Sequence, residues 1–214
     1  MRWNALTWTA LLTLGLVLGC SSSEEANEEE VTAEGVDVEK NPLGALGALA
    51  SLGSDLEKIQ KDLEEMPDVE TLHFNDLMAV LPEPPSGYTA DDAKGSTNDM
   101  GGFKISEVSR VYRAEEGDAR VTVTVRDWAY NKALYMPFFM TSKFSQETTE
   151  GWQKGITVGE DPGFEKYTTK SQDGERMVLF RKRFPITVDV DNLPAESFDE
   201  WWSLINRDEL PERQ

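Results

Sequence analysis

The sequence predicts an α+β fold: an antiparallel sheet of five to six strands packed with helices, preceded by a disordered acidic tether and an amphipathic helix. The clearest strand is 119–128, where valines alternate with polar residues as in a strand with one buried face. The clearest helix follows Ser197, where Glu200 completes a capping-box pattern. Its large apolar residues share one helical face: Phe198, Trp201, Trp202 and Ile205.

The other elements follow in chain order. Residues 69–81 predict a short helix, or a helix that leads into a strand, and the proline-rich stretch 82–87 ends it. The polar, glycine-containing stretch 94–102 predicts a loop. Residues 131–144 predict a helix broken near Pro137. Besides 119–128, the predicted strands are 103–113, 150–158, 163–171, 176–184 and 186–191.

The first 20 residues hold a processing pattern. Arg2 precedes an apolar run over 5–18, which is shorter than the roughly 20 residues that a membrane-spanning helix needs. Small residues then lead to Cys20 in the sequence Val-Leu-Gly-Cys. This layout resembles a bacterial lipoprotein signal, or lipobox, with residues 1–19 as the signal peptide.

The resemblance implies that Cys20 carries diacylglycerol and becomes the first residue of the mature protein. Two or more acyl chains give stable anchoring, so the membrane is the expected partner of the N-terminus. The expected location is the cell envelope, and Ser21 after the cysteine favours the outer over the inner membrane. Cys20 is the only cysteine, so the chain can form no internal disulfide.

Residues 20–40 are interpreted as a flexible tether. The stretch 21–39 holds eight acidic residues and no basic or aromatic ones, so it lacks the apolar surface that would offset its ordering entropy. An acidic peptide that binds a basic partner or divalent cations is the alternative interpretation.

Residues 41–67 predict an amphipathic helix, with Asn41 as a cap, Pro42 at its first position and Pro67 at its end. Its apolar stripe has heptad spacing and consists of Leu49, Leu52, Leu56, Ile59, Leu63 and Met66. Three hypotheses stay open: the helix packs on the following domain, it pairs with a protein partner or a second copy, or its uncharged start lies on the membrane.

Residues 68–214 form the predicted globular domain. The whole chain has a net charge of −19, and loss of Arg2 with the signal peptide makes the mature value −20. This acidity argues against nucleic acid as a partner, because phosphates attract lysine and arginine.

No catalytic motif stands out. His73 is the only histidine, so no histidine–cysteine metal cluster can form, and we expect neither a metal site nor a cofactor. Asp189 and Asp191 lack the remaining positions of an EF-hand loop and are interpreted as solvent-facing acids on an edge strand. The favoured function is therefore a non-catalytic binding or scaffold domain. A carboxylate-based hydrolase and a self-assembling structural lipoprotein are the alternatives.

Four residues are candidate contacts for a ligand or partner. Arg181 and Arg183 lie in the one basic cluster of this acidic chain, and Trp128 and Tyr135 lie in an aromatic-rich stretch. The competing interpretation is cross-strand pairing for the arginines and core packing for the aromatic residues.

One resemblance extends over residues 69–210. The strings LMAVLPEPPSGY, GWQKGITVG and LFRKRFPITVDV are similar to segments of bacterial envelope proteins of unknown function. The outline of strands and helices resembles the Mog1/PsbP-like fold, which implies a shape and supplies no catalytic motif.

Overall fold

A computed structural model of the chain describes residues 53–54, 57–58, 60–61, 64–66, 69–101 and 103–212. The predictions made for the signal peptide, for Cys20 and for the tether lie outside these residues. So do the stripe residues Leu49, Leu52, Leu56, Ile59 and Leu63. Within the described part, no helix is both long and apolar enough to cross a bilayer.

The core of the fold is one antiparallel sheet. Its strands are β1 (Tyr88–Ala90), β2 (Lys94–Met100), β3 (Phe103–Ala114), β4 (Arg120–Asp127), β5 (Gln146–Thr148), β6 (Gly151–Val158), β7 (Asp161–Thr168), β8 (Asp173–Phe180) and β9 (Phe184–Asp191). Their order is β1-β3-β4-β9-β8-β7-β6-β5, and β2 also pairs with β3. The antiparallel, sheet-rich architecture is confirmed, whereas the count of five to six strands is wrong because the described residues alone form nine.

The additional strands are β1, β2 and β5, which lack the apolar alternation that marks a strand in sequence. β2 lies where a loop was predicted, and β3 holds it in a hairpin from Lys94↔Ser109 to Met100↔Phe103. Gly95 permits close packing there, because a Cβ atom at this position would lie 2.4 Å from the Phe74 ring.

Within residues 69–212, as far as the structure describes them, three short helices accompany the sheet: α1 (Phe74–Leu77), α2 (Lys132–Ser142) and α3 (Ser197–Leu204). Two 3₁₀ turns, Met78–Val80 and Arg207–Glu209, follow α1 and α3. α2 runs through Pro137 without the predicted break. α3 begins at Ser197, and its N-cap is Glu196 without a side-chain hydrogen bond, so the predicted capping box is also wrong.

The main hydrophobic core lies on one face of the sheet, under α1 and α3. Alternate residues of β4 and β9 supply its floor, including the fully buried Val123 and Val188. All four apolar residues predicted for the C-terminal helix face are buried in this core: Phe198, Trp201, Trp202 and Ile205.

A smaller core lies on the opposite face, under α2. It joins six buried residues: Trp128, Tyr130, Tyr135, Phe138, Phe164 and Leu179. Gly155 of β6 lets the end of α2 approach the sheet, because a Cβ atom there would lie 2.0 Å from the Ser142 carbonyl oxygen. Among the described residues, α2 makes its main sheet contacts with β6 and β7, and the end of this face around Thr168, Glu175 and Asp191 has a groove rather than a helix over it.

Candidate functional site

The uncovered part of the second face is polar. One row of paired residues runs across it from β6 to β4 through Gln153, Lys166, Glu175, Asp189 and Thr122. Strand alternation places these side chains on the face opposite the main core, because Val188, next to Asp189, and Val123, next to Thr122, point into that core, as does Val178, three positions after Glu175. We call this surface the open face.

A groove of about 460 Å³ lies at the end of the open face formed by β5 to β9. Its wall includes five carboxylates and a single lysine, which are Glu150, Asp173, Glu175, Asp189, Asp191 and Lys166. Amide and hydroxyl side chains complete the polar lining, namely Gln146, Thr148, Gln153 and Thr168. The groove therefore offers hydrogen-bond acceptors and an excess of negative charge.

The carboxylates in the groove are unequally neutralised. Lys166 pairs with Glu175 at 2.5 Å, and Arg120 pairs with Asp191, also at 2.5 Å. Asp189, by contrast, makes no ion pair within the described part of the chain. Burial raises the pKa of Asp189 to about 6, and repulsion from Glu175, directly opposite on β8, adds to the rise.

The groove continues into a second depression of about 520 Å³ that also uses Asp173 and Asp191. Arg113 and Arg120 lie on its wall. The open face thus has an acidic stretch followed by a stretch of mixed charge, which suits an extended, polar ligand that carries positive groups.

The described residues contain no group of three or more histidine, cysteine, aspartate or glutamate side chains placed to hold a metal ion. What the groove can do chemically is accept hydrogen bonds and pair with cations. The protonated form of Asp189 can also donate a proton near neutral pH, which is the property that a general acid requires.

The predicted contact residue Arg183 is buried rather than open to a ligand. Its guanidinium donates to both carboxylate oxygens of Asp127, at 2.8 and 2.7 Å, and to the Glu70 carbonyl at 2.9 Å. The side chains of Arg183 and Asp127 are 5 % and 0 % exposed. This pair connects the end of β4 with the β8–β9 turn.

The other three candidate residues also lie in packed surroundings. Trp128 and Tyr135 meet edge-to-face in the smaller core, and the Tyr135 hydroxyl donates to the Lys182 carbonyl at 2.7 Å. Arg181 is partly buried and reaches the C-terminal segment, where it contacts the Leu210 carbonyl and pairs with Glu212 at 2.9 Å. The structure brings Trp128, Tyr135 and Arg183 to one neighbourhood, but as a packed cluster.

Arg181 and Arg183 both fall within the strand predicted over 176–184. The strand instead ends at Phe180, and residues 181–183 form a turn in which Arg181 and Lys182 have φ of 52° and 56°.

His73 caps α1, with its Nδ1 accepting from the Asn75 N–H at 3.2 Å.

Sequence reasoning missed Glu175 and Asp189 as site residues. β9 is a central strand between β4 and β8, so the expectation of an edge strand for Asp189 and Asp191 is wrong. The alternation of Thr187, Asp189 and Asp191 with apolar residues indicated that these three side chains share one face of a strand. It did not indicate that β8, with Glu175, would lie beside them.

Comparisons with protein-family models, with curated proteins and with solved structures find no match for this chain.

Proposed function

We propose that this protein is a lipid-anchored component of the bacterial cell envelope whose globular domain is a binding module. The groove on the open face is its binding surface, and the ligand is an extended polar molecule that carries amines or other cationic groups. The lipobox at Cys20 supports the anchoring, and the acidic groove supports the binding role.

The observation that carries the proposal is the cluster of carboxylates at the centre of the sheet. Glu175 and Asp189 are directly opposed, which places their Cβ atoms about 5 Å apart. Like charges at such positions destabilise a sheet, and a surface without a ligand gains nothing from keeping them together. Lys166 neutralises Glu175, and a cationic ligand would neutralise Asp189 as well and form charge-assisted hydrogen bonds with both carboxylates.

The binding proposal predicts an interaction with a simple polyamine. In calorimetric titrations of the full chain with spermidine, the Glu175→Gln/Asp189→Asn variant is expected to bind at least about tenfold more weakly. The reason is that two charged hydrogen-bond acceptors are lost and Lys166 is left without its partner. Wild-type affinity should also fall as salt is added.

The matched control is Asp92→Asn, which removes one exposed carboxylate between β1 and β2, at the other edge of the sheet. Equal spermidine affinity in the wild type and in the groove variant would contradict the binding role. The raised pKa of Asp189 makes a carboxylate-based hydrolase the second candidate function. That function would be supported if the protein released new reducing ends from purified envelope glycan and if Asp189→Asn abolished this release.

The anchoring proposal makes a separate prediction. Expression of the full chain in a bacterial host should place the wild type in the membrane fraction, where detergent extracts it. Cys20→Ser should abolish the incorporation of labelled palmitate into the protein, because the thiol that accepts the acyl chains is then absent. Palmitate labelling that is unchanged in Cys20→Ser would contradict anchoring through Cys20.

A further inference from the structure

Helix α2 exposes an apolar strip. The large exposed hydrophobic residues of the described chain are Met136, Met140, Phe144 and Leu204, with 37 %, 51 %, 49 % and 37 % of their surface accessible. Met136 and Met140 are four positions apart on α2, so they lie on one side of the helix, and Phe144 stands just beyond its C-cap, Lys143. We call Met136, Met140 and Phe144 the α2 strip.

The residues that lead into the domain contact the same core as α2. Met66 and Val69 pack against the smaller core, to which α2 contributes Tyr135 and Phe138. Met66 is also the last member of the heptad stripe that begins at Leu49. The stripe therefore ends in contact with the cluster on which α2 rests.

The described residues of 53–64 have helical backbone, and their side chains are exposed. Gln60 and Glu64 are hydrogen-bonded across one helical turn at 3.5 Å, as neighbours on the polar side of a helix. The helical backbone ends at Glu64, and a helix from Leu49 to Glu64 would be about 24 Å long, which is enough to cover the α2 strip.

The charges of the two segments are complementary. The charged residues of 131–144 are Lys132 and Lys143, which stand at the two ends of the strip. The segment 41–66 holds five acidic residues and two lysines. A second copy of the strip would present the same two lysines and would repel, so the charges favour the acidic segment as the occupant.

We propose that the apolar stripe Leu49–Met66 docks onto the α2 strip of the same chain. The two apolar surfaces then cover each other, and Lys132 and Lys143 face the acids of the segment. The arrangement fixes the segment 49–66 on the domain, so the tether 20–40 is the part of the chain that stays flexible between the domain and Cys20. The stripe is then occupied within one chain and is not available for self-association.

Limited proteolysis of the detergent-extracted full chain tests this contact. Trypsin cleavage after Lys58 and Lys61 should be at least about tenfold faster in Met140→Asp than in the wild type, because the charge would disrupt the apolar contact that holds the segment. Met140 is half exposed, so the variant is expected to fold. The matched control is Leu204→Asp, which places the same charge at an exposed leucine of α3 and should leave the cleavage rate unchanged.

Cysteine pairs identify the occupant directly. Met140→Cys combined in turn with Leu56→Cys, Ile59→Cys or Leu63→Cys should yield an intramolecular disulfide for at least one pair, and Met140→Cys with Glu57→Cys should not. The proposal fails if none of the three pairs exceeds the Glu57 control, or if the disulfides form only between two chains. It also fails if Met140→Asp leaves trypsin cleavage at the wild-type rate.

Discussion

Replacing Asp127 with asparagine is expected to lower the free energy of unfolding by about 3–5 kcal/mol, the cost of breaking a buried ion pair. Besides the two bonds from Arg183, Asp127 accepts from the backbone N–H groups of Leu72 and Ala129, both at 2.8 Å. Asparagine has one acceptor oxygen, and its amide group would face donors. The Arg183 guanidinium would then be buried without its counter-charge.

Asp127 also holds backbone that is unfavourable on its own. Ala129 and Tyr130 have φ of 44° and 56°, in the left-handed region that non-glycine residues seldom occupy. The bond from Ala129 to Asp127 fixes this turn, which leads from β4 into α2. Loss of the carboxylate should therefore loosen the smaller core as well as the ion pair.

Urea denaturation of the wild type, of Asp127→Asn and of a control variant measures the loss in the free energy of unfolding. The control is Glu107→Gln, which breaks the ion pair of Glu107 with Arg126, whose side chains are 41 % and 30 % exposed, and should cost less than about 1 kcal/mol. The double variant Asp127→Asn/Arg183→Met should lose less than the sum of the two single variants, since it leaves no buried charge. A loss below about 1 kcal/mol in Asp127→Asn would show that the pair has no structural role.

Replacing Asp189 with asparagine is expected to stabilise the protein at pH 7.5. The folded state raises the pKa of Asp189 from 3.8 to about 6, so between these values the folded chain keeps a proton that the unfolded chain releases. The contribution of Asp189 to stability therefore falls as the pH rises from about 4 to 6 and stays low above that. Allowing for the partial exposure of the group, the variant should gain about 1–2 kcal/mol at pH 7.5.

The gain should disappear near pH 4, where Asp189 in the wild type is protonated and as neutral as asparagine. Denaturation of the wild type and the variant at pH 4, 5, 6 and 7.5 measures the difference, and Asp92→Asn should show no comparable trend. A variant that is less stable than the wild type at pH 7.5, or a difference that does not change with pH, would refute the account of Asp189. Stability that is lost to an unneutralised carboxylate is a common feature of binding sites.

The sequence predicted the central strands because burial on one face imposes a period of two. β4 and β9 are examples, since valine or isoleucine at every second position had to face a core. β2 carries no such pattern. Its partner, β3, holds it in the sheet through backbone hydrogen bonds that any residue except proline can make.

The groove was harder to predict, because it depends on strand order rather than on local pattern. Glu175 and Asp189 are 14 positions apart in a chain of many acids, and only the β8–β9 register makes them neighbours. Arg183 and Trp128 were predicted to contact a ligand because of their charge and their aromatic ring. Both side chains are buried, and they help to build the smaller core and its surroundings. Sequence alone does not distinguish these roles.

The central claim is that the open face binds a cationic ligand, and amide chemical-shift mapping tests it most directly. Spermidine added to isotopically labelled protein should shift the backbone amides of residues 146–153, 166–168, 173–175 and 189–191, with shifts that saturate and that weaken in Glu175→Gln/Asp189→Asn. Shifts that are spread over all acidic surfaces, or that are the same in the variant, would contradict the claim that this groove is the binding site.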